Sequence, residues 1–231
     1  MSRPTLKVVH TSDTHTLEFS DSMPEGDILI HSGDATFDGS IKQTARLEVE
    51  LSKAASKFKH VIFVPGNHDW FFEDYPHLLP EIENRLPDNV HILISKEISI
   101  EGYKFYGHPH TPRFHDWAFN VDRGSRQMVG LIDQIPKDVD VLISHGPPHG
   151  ILDQEKKCLH KVGCEDLRRK LPHLGSLKLM CFGHIHEEYG NVRLGEVIFS
   201  NGSYLSAEYD FNNPNPPHVY ELTHDRAEFP D

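Results

Sequence analysis

Short apolar runs alternate with longer amphipathic stretches along the chain. This alternation is typical of strands and helices that follow one another in a layered α/β domain. The runs that best suit buried strands are rich in Val, Ile and Leu. They span residues 6–10, 28–30, 61–64, 141–143 and 177–182.

The stretches between these runs predict helices that flank the sheet. Ser40 and Gln43 have the spacing of a capping box, which predicts a helix from Ser40 to about residue 57. Further helices are predicted over residues 72–85, 125–135 and 164–171.

Shorter strands and turns fill much of the rest of the chain. Glu101-Gly102 and Gly195-Glu196 are turn sequences that separate short apolar segments. Without a linker or an internal repeat, residues 1–231 are expected to form one domain, whose polar tail over 223–231 is predicted to lack order. The short strands are predicted over 91–95, 98–100, 103–106, 192–194, 197–199 and 218–222.

Charge and hydropathy exclude several classes of partner. The chain has 35 Asp and Glu against 23 Lys and Arg, a balance that disfavours binding of long nucleic acid. No apolar run reaches the roughly 18 residues that span a bilayer, and the first residues lack the apolar core of a signal peptide. We therefore expect a cytoplasmic protein with no membrane partner; the oligomeric state is not predicted.

The cysteine and histidine content indicates which kinds of metal site the chain can form. Cys158, Cys164 and Cys181 are odd in number and lack CxxC spacing, so we expect reduced thiols and no thiolate zinc site. The chain also contains 18 histidines, which can bind metals and transfer protons near neutral pH. So many histidines produce motifs by chance, and their position in the fold must decide which ones matter.

Metal-binding residue types follow each of the five apolar runs, after a small or turn-forming residue. In an open α/β sheet, ligands bind beyond the carboxyl ends of the strands, where such positions converge. The candidate residues at these ends are Asp13, His15, Asp34, Asn67, His68, Asp69, His145, His184 and His186.

These side chains offer oxygen and nitrogen atoms but no thiolate. Such a donor set suits divalent Mn, Fe, Co, Ni or Zn. The seven candidate ligands, which leave out His68 and Asp69, exceed the four of a tetrahedral site. Two ions about 3.5 to 4 Å apart that share a carboxylate would use all of them.

In this order, Asp-x-His, Gly-Asp, Gly-Asn-His-Asp, a later His and Gly-His-x-His resemble the motifs of the calcineurin-like metallophosphoesterase superfamily. Longer stretches are similar to its metallophosphoesterase-domain-containing branch, whose members act on phosphodiesters that include cyclic nucleotides. The resemblance implies a four-layer α-β-β-α sandwich with mixed sheets flanked by helices. The stretches are GDILIHSGD (26–34), HDWAFN (115–120), SHGPP (144–148) and VGC (162–164).

The resemblance also implies a role for each site residue. Asp13, His15 and His186 would hold one ion, Asn67, His145 and His184 the other, and Asp34 would bridge them. His68 would stay free of metal and protonate the leaving alkoxide or steady the phosphoryl oxygens, with Asp69 or Asp38 fixing its tautomer.

The implied reaction is in-line attack of a metal-bridging hydroxide on a nucleotide or 3′,5′-cyclic nucleotide phosphodiester, with Mn²⁺ the ion expected to support activity in vitro. Two alternatives stay open: a phosphomonoesterase that uses the same site, and a nucleotide-binding protein with vestigial turnover. A DNA nuclease is disfavoured by the acidic balance.

A second strand followed by Gly-His-x-His, at His108 and His110, competes with His184 and His186. The order of the motifs favours the later pair, and the earlier pair is expected at the rim of the site.

The loops over residues 110–123 and 146–163 are long enough to carry specificity. Their aromatic residues, Phe114, Trp117 and Phe119, either cover a nucleobase or pack in the core, and Arg113 and Arg123 either clamp a phosphate or form surface contacts. Trp70, Phe71 and Phe72 are expected to pack in the core.

Overall fold

Two six-stranded mixed sheets form the centre of the molecule in the computed structural model, which describes residues 3–156 and 159–230. The first sheet has the spatial order Ala227–Glu228 (β14), His218–Leu222 (β13), Leu6–Thr11 (β1), Ile28–His31 (β2), His60–Phe63 (β3) and Val90–Ile92 (β4). The second has the order Gly190–Leu194 (β11), Val197–Asn201 (β12), Leu179–Phe182 (β10), Val141–Ser144 (β9), Tyr103–His108 (β6) and Lys96–Ile100 (β5). Thr111–Pro112 (β7) and Asn120–Val121 (β8) form a small parallel pair.

Within each sheet, the strands that end at the candidate site run parallel to one another. β1 to β4 run parallel in the first sheet, and β6, β9, β10 and β12 run parallel in the second. β13, β14, β11 and β5 are antiparallel additions at the edges. The carboxyl ends of the parallel strands within each sheet therefore lie at one edge, as the sequence predicted.

Alternate residues of the strands face two different cores, and this period of two builds the layers. Val8 and Ile30 pack between the two sheets with Phe105 and Ile143. Their neighbours on the other face, such as Val9, pack in the core beneath the helices. A third core joins the second sheet to the remaining helices. The four-layer α-β-β-α sandwich is confirmed.

In the described part of the chain, five α-helices lie on the outer faces of the sheets. They are Ile41–Ala55 (α1), Phe71–Asp74 (α2), Leu79–Arg85 (α3), Arg126–Asp133 (α4) and Glu165–Lys170 (α5). The single helix predicted over 72–85 was wrong: Tyr75 precedes Pro76 and leaves the helical conformation, and a 3₁₀ turn, Pro76–Leu78, separates α2 from α3. A residue before proline is disfavoured in the helical region, which explains the break.

The capping box predicted before α1 was also wrong in its contacts. Ser40 lies at the N-cap, but its side chain makes no capping hydrogen bond. The Gln43 side chain instead reaches past Ser40 and accepts hydrogen bonds from the backbone N–H groups of Phe37 and Asp38. Ser125 does cap α4, because its Oγ accepts from the Met128 N–H.

Two predictions about strands need correction. The strand predicted over 91–95 is shorter and starts one residue earlier: it is β4, Val90–Ile92, which joins the first sheet beside β3. Part of the tail predicted to lack order forms β14, which pairs with β13. The five apolar runs that lead to the site form strands within two residues of the predicted bounds.

Cys164 and Cys181 are buried free thiols, as predicted; Cys158 lies outside the described residues. Over 3–156 and 159–230, the helices are all too short or too polar to cross a bilayer.

Candidate metal centre

Loops that follow β1, β2, β3, β9 and β10 meet between the two sheets. The Asp13 N–H donates to the Gly33 carbonyl at 2.8 Å, which joins the loops after β1 and β2. The Gly183 N–H donates to the His145 carbonyl at 2.9 Å and joins the loops after β9 and β10. The His184 N–H then donates to the Asp13 carboxylate at 3.0 Å, which ties the two sheets together at the site.

The first group of possible ligands contains Asp13, His15 and His186, with one ligand atom from each lying within 4.8 Å of the others. His186 Nε2 is 3.3 Å from Asp13 Oδ1. The Asp13 carboxylate is held in place by the Ser203 hydroxyl, which donates to Oδ2 at 3.0 Å, while His186 Nδ1 lies 3.2 Å from the Ser206 carbonyl. A hydrogen bond on the other ring nitrogen orients His186 toward the carboxylate.

The second group contains Asp34, His145 and His184. His145 Nε2 lies 3.3 Å from Asp34 Oδ2 and 2.8 Å from Asn67 Oδ1, so Asn67 also belongs to this side of the site. Asp34 forms a further group with His15 and His68. Asp34 therefore lies between the other ligands, which is the position that a bridging carboxylate requires.

These loops have an unusual backbone conformation, and they are tightly packed. Asp13, Asp34 and His184 all have positive φ, at 52°, 54° and 69°. A Cβ at Gly183 would collide with the Asp13 carboxylate, and one at Gly66 would collide with Asp34. Only glycine can occupy these two positions without moving a candidate ligand, and backbone strain of this kind is typical of functional sites.

His15 provides the test of whether the residues fit a metal ion. Its ring is fully buried, and neither ring nitrogen has a hydrogen-bond partner in the described part of the chain. Buried polar groups are nearly always paired, and His15 is grouped with Asp13 and Asp34, so these two nitrogens are available to bind a metal ion. Burial lowers the pKa of His15 to about 4, which keeps its imidazole in the neutral form that binds metals. The donor set fits divalent metal ions.

The charge of the two carboxylates supports the same conclusion. Burial opposes ionisation of Asp34, but the nearby histidines, His145 first among them, together outweigh it and hold the pKa of Asp34 below its usual range. Asp13 also has a lowered pKa, because His186, together with His145 and His15, outweighs the effect of burial. Two ionised carboxylates inside a ring of imidazoles form a strong site for divalent cations.

His68 lies beside both groups, but one of its nitrogens is already engaged. Nδ1 lies 2.7 Å from the Phe37 carbonyl, which can only accept a hydrogen bond, so Nδ1 carries a proton. The His68 backbone N–H donates to Asp34 Oδ1 at 2.7 Å. Nε2 is left to face the site, and the His68 ring lies 4.8 Å from that of His15.

The tautomer of His68 is therefore not fixed by Asp69 or Asp38, and that prediction was wrong. The Asp69 carboxylate accepts hydrogen bonds from the N–H groups of Gly66 and Thr36, at 2.8 and 2.9 Å, and from the Thr36 hydroxyl at 2.8 Å. Asp38 accepts from the Ser40 N–H. Asp69 joins the loops after β2 and β3 and so positions Asp34 and Asn67 without contacting the His68 ring.

A sequence model of the calcineurin-like phosphoesterases matches residues 6–188. The chain belongs to the calcineurin-like phosphoesterase family. Metallophosphoesterase domain-containing protein 1 of Homo sapiens is 32% identical to it over 236 residues, which cover 94% of this chain and 71% of the human protein. The Mus musculus protein of the same name has the same identity and coverage.

Solved structures share the fold at low sequence identity. A phosphopantetheinyl hydrolase from Mycobacterium tuberculosis superposes with a TM-score of 0.60 at 15% identity, covering 97% of this chain and 96% of its own. A dimetal phosphatase from Danio rerio gives a TM-score of 0.54 at 14% identity, covering 98% and 95%. Membership of the family implies metal-dependent hydrolysis of phosphoesters, and the ligand groups indicate a dinuclear centre.

An open cleft of about 460 Å³ leads to the ligands of this calcineurin-like phosphoesterase. Besides the ligands and His68, its walls are Phe37, Phe114, His115, Trp117 and Tyr209. A groove of about 520 Å³ beside α1 is slightly larger, but no described histidine lines it, and we place the chemistry in the cleft.

Three of the wall residues were not singled out as site residues from the sequence. The Tyr209 ring lies 5.2 Å from that of His15 and 5.0 Å from that of His186, and the Phe37 ring lies 5.5 Å from that of His68. His115 is the third. Tyr209 has a φ of 54° in a loop rich in Asn and Pro, where the sequence carries no periodic pattern that could reveal its orientation.

Several other residues that the sequence suggested for the substrate site have different contacts in the structure. Arg113 pairs with Asp122 at 2.5 Å, and Arg123 pairs with Glu165 at 2.7 Å, so neither is a phosphate clamp in this structure. Phe119 is buried in a core with Phe71 and Phe72, and Trp70 packs against that core. Phe114 and Trp117 line the cleft. His108 is fully buried, so its predicted place at the rim was wrong.

Proposed function

We propose that this chain hydrolyses phosphodiesters of nucleotides, including 3′,5′-cyclic nucleotides, with His68 as the proton donor to the leaving alkoxide. The observation that carries the proposal is the position of Trp117 and His68 in one cleft, with their ring centroids 4.1 Å apart, directly beside the ligand groups. A substrate whose phosphate lies at the ligands would therefore meet both a proton donor and an aromatic surface.

The charge of the cleft favours a diester over a monoester. Among the described residues that line it, none is Lys or Arg, and the two nearby arginines considered above are paired with Asp122 and Glu165. A diester carries a single negative charge near neutral pH, whereas a monoester approaches two. A cleft without free cationic side chains suits the substrate of lower charge.

Two divalent ions, when bound, would supply charge neutralisation for the phosphoryl group and an activated water. The side chains that would hold them are Asp13, His15 and His186 on one side and Asn67, His145 and His184 on the other, with Asp34 between. The remaining task for the protein is to place the diester and to supply a proton to the leaving oxygen.

His68 is suited to that proton transfer. Its Nε2 faces the site, while the Phe37 carbonyl accepts a hydrogen bond from Nδ1. When Nε2 gives its proton to the alkoxide, the neutral ring that remains has its proton on Nδ1, the tautomer that this carbonyl stabilises. The hydrogen bond to the Phe37 carbonyl therefore stabilises the form of His68 that remains after the proton transfer.

The cleft walls support recognition of a nucleobase. The exposed Phe37 and Phe114 side chains, with Trp117 and Tyr209, offer several ring faces on which a base can stack. Stacking on one aromatic side chain contributes about 1–3 kcal/mol per base. This contribution distinguishes nucleotides from simple phosphodiesters.

The test compares purified, Mn²⁺-loaded protein on bis-p-nitrophenyl phosphate, p-nitrophenyl phosphate and a 3′,5′-cyclic nucleotide. We expect the highest kcat/KM on a diester, and we expect Trp117→Ala to raise KM for the cyclic nucleotide about 10-fold. A clear preference for p-nitrophenyl phosphate would favour the monoesterase. Tight nucleotide binding without hydrolysis of any substrate would favour the nucleotide-binding protein.

We further propose Mn²⁺ as the ion that supports activity in vitro, with Fe, Zn, Co and Ni as the other candidates, small phosphodiesters as the substrates and the cytoplasm as the location. Metal analysis of protein purified from its native host, followed by reconstitution of the metal-free protein with each ion, tests the metal. Fractionation of the native cells tests the location.

A further inference from the structure

We infer that Gln43, in the first turn of α1, is a positioning residue that holds the proton donor His68 in its working tautomer through the backbone of Phe37. The inference rests on the proposed function, because it assigns Gln43 an effect on proton transfer by His68. In the described structure the Gln43 side chain hydrogen-bonds to Phe37 and Asp38, and to neither the candidate ligands nor the His68 ring.

A chain of short hydrogen bonds connects the two residues. Gln43 Oε1 accepts from the Phe37 N–H at 2.7 Å and from the Asp38 N–H at 3.0 Å. The Phe37 carbonyl accepts in turn from His68 Nδ1 at 2.7 Å. The Phe37 N–H and carbonyl flank one Cα, so a single residue links Gln43 to His68.

Apart from its backbone hydrogen bonds to Gln43 and His68, the described contacts of Phe37 are those of its ring. The ring lies 5.6 Å from that of His15 and 5.5 Å from that of His68, but the residue is 47% exposed, so burial anchors it only in part. The preceding residue, Thr36, is fixed by Asp69, and the following turn depends on Gly39, which has a φ of 63° and lies against Trp70. Gln43 is thus the side chain that fixes the two peptide N–H groups between these supports.

The contacts of Gln43 differ from those of an ordinary helix cap. In a capping box, a glutamine at this position would bond to the N–H of the N-cap residue, Ser40. The Ser40 N–H instead donates to Asp38 Oδ1. Gln43 accepts hydrogen bonds from the N–H groups of the two residues that precede Gly39. The Gln43 side chain, which belongs to the first turn of α1, therefore stabilises the loop between β2 and α1.

Gln43→Ala is expected to slow the reaction only when the leaving group needs a proton. For a 3′,5′-cyclic nucleotide, whose leaving group is an alkoxide, we expect kcat to fall about 10-fold. For bis-p-nitrophenyl phosphate, whose leaving group is weakly basic, we expect a change below about 2-fold. Gln43→Glu keeps an acceptor for both N–H groups and should restore most of the rate.

Lys42→Ala is the matched control, because Lys42 is an exposed neighbour in the same helical turn. It should change neither rate. His68→Ala should show the same dependence on the leaving group as Gln43→Ala with a larger loss, and the double variant should be no slower than His68→Ala alone. Equal losses on both substrates for Gln43→Ala, or additive losses in the double variant, would overturn the inference.

A second readout separates this inference from the proposed function. If His68→Ala shows no dependence on the leaving group, the proton-donor role fails. Nitrogen chemical shifts of His68 in Gln43→Ala still report its tautomer: a smaller Nδ1–H population supports the link to Gln43, and an unchanged population contradicts it. Circular dichroism and metal content confirm that each variant is folded and loaded.

Discussion

Two segments of this chain share one local sequence, a buried strand followed by Gly-His-x-His, yet only one of them belongs to the metal centre. Residues 183–186 follow β10, and residues 107–110 lie at the end of β6 and just beyond it. Both strands are parallel neighbours of β9, one on each side. The two pairs of histidines are therefore placed at the same edge of the same sheet.

The difference lies in what each segment faces across the sandwich. A Cβ at Gly183 would meet Asp13 and Ser12 in the loop after β1, whereas a Cβ at Gly107 would meet the apolar Leu93 and Val64, which follow β4 and β3. His184 and His186 accordingly lie in ligand groups with carboxylates. Burial, followed by the charge of His110, lowers the pKa of His108 to about 3, and no carboxylate is among the causes.

A histidine pair thus becomes a metal site through the carboxylate that the fold brings to it. His15, in the centre, and His108 both have two buried ring nitrogens without a partner in the described part of the chain. His15 is grouped with Asp13 and Asp34, but His108 is in none of the ligand groups found among the described residues.

The largest effect is expected from Asp34→Asn, which removes the charge shared by two ligand groups and keeps the shape of the side chain. We expect kcat to fall on the order of 1,000-fold, because loss of this charge weakens both ion sites together. Hydrolysis of bis-p-nitrophenyl phosphate and metal content per chain measure the outcome.

Asp166→Asn is the control for this change, because Asp166 is a buried carboxylate of α5 that pairs with Arg169 outside the centre. It should keep both ions and most of the rate. An Asp34→Asn protein that retains full metal content and full activity would show that the carboxylate does not distinguish the two segments.

The second prediction compares the segments directly. We expect His184→Ala to lower kcat/KM on the order of 100-fold through loss of a ligand to one ion, and His108→Ala to change it by less than about 2-fold. The same contrast is expected between His186→Ala and His110→Ala. Equal losses in His184→Ala and His108→Ala would place the earlier segment in the site as well.

The sequence predicts most of the centre because its residues lie at strand ends. Asp13, Asp34, His145 and His184 each follow an apolar run that forms a parallel strand, so their convergence follows from the order of the elements. The choice between His184 and His108 depends on which strand faces Asp13 across the sandwich. That arrangement is a property of the packed sheets and is not encoded in either segment.

The parts that the sequence did not predict depend on loops and on contacts between elements. A backbone carbonyl, that of Phe37, accepts from His68, and a carbonyl has no sequence signature. The resemblance implied that Asp69 fixes the tautomer of His68, but the turn directs its carboxylate to Thr36 and Gly66. Tyr209 enters the cleft from a loop without periodicity.

The third prediction concerns metal removal. Ions that bind only the folded state stabilise it, by about 2.7 kcal/mol at a hundredfold excess over Kd. For a chain of this length we expect chelation to lower Tm by about 5 to 10 °C in the wild type and in His108→Ala. The shift should be smaller in His184→Ala. An equal shift in His184→Ala, measured by scanning calorimetry, would indicate that the stabilising ion lies elsewhere.

The smallest effect is expected from His108→Leu, which replaces a fully buried imidazole that has no hydrogen-bond partner in the described structure. An unpaired buried polar group costs about 1–3 kcal/mol, so an apolar side chain of similar size should leave the free energy of unfolding within about 1 kcal/mol or raise it.

His10→Leu is the matched comparison. His10 is equally buried, but its ring nitrogens bond to the hydroxyls of Ser200 and Ser32 at 2.7 and 2.9 Å. Removing that ring leaves two buried hydroxyls without their partner, so we expect a loss of about 2–4 kcal/mol in urea unfolding. A comparable loss in His108→Leu would mean that the unpaired imidazole holds a bound water or ion, and the second Gly-His-x-His segment would then be a binding site of its own.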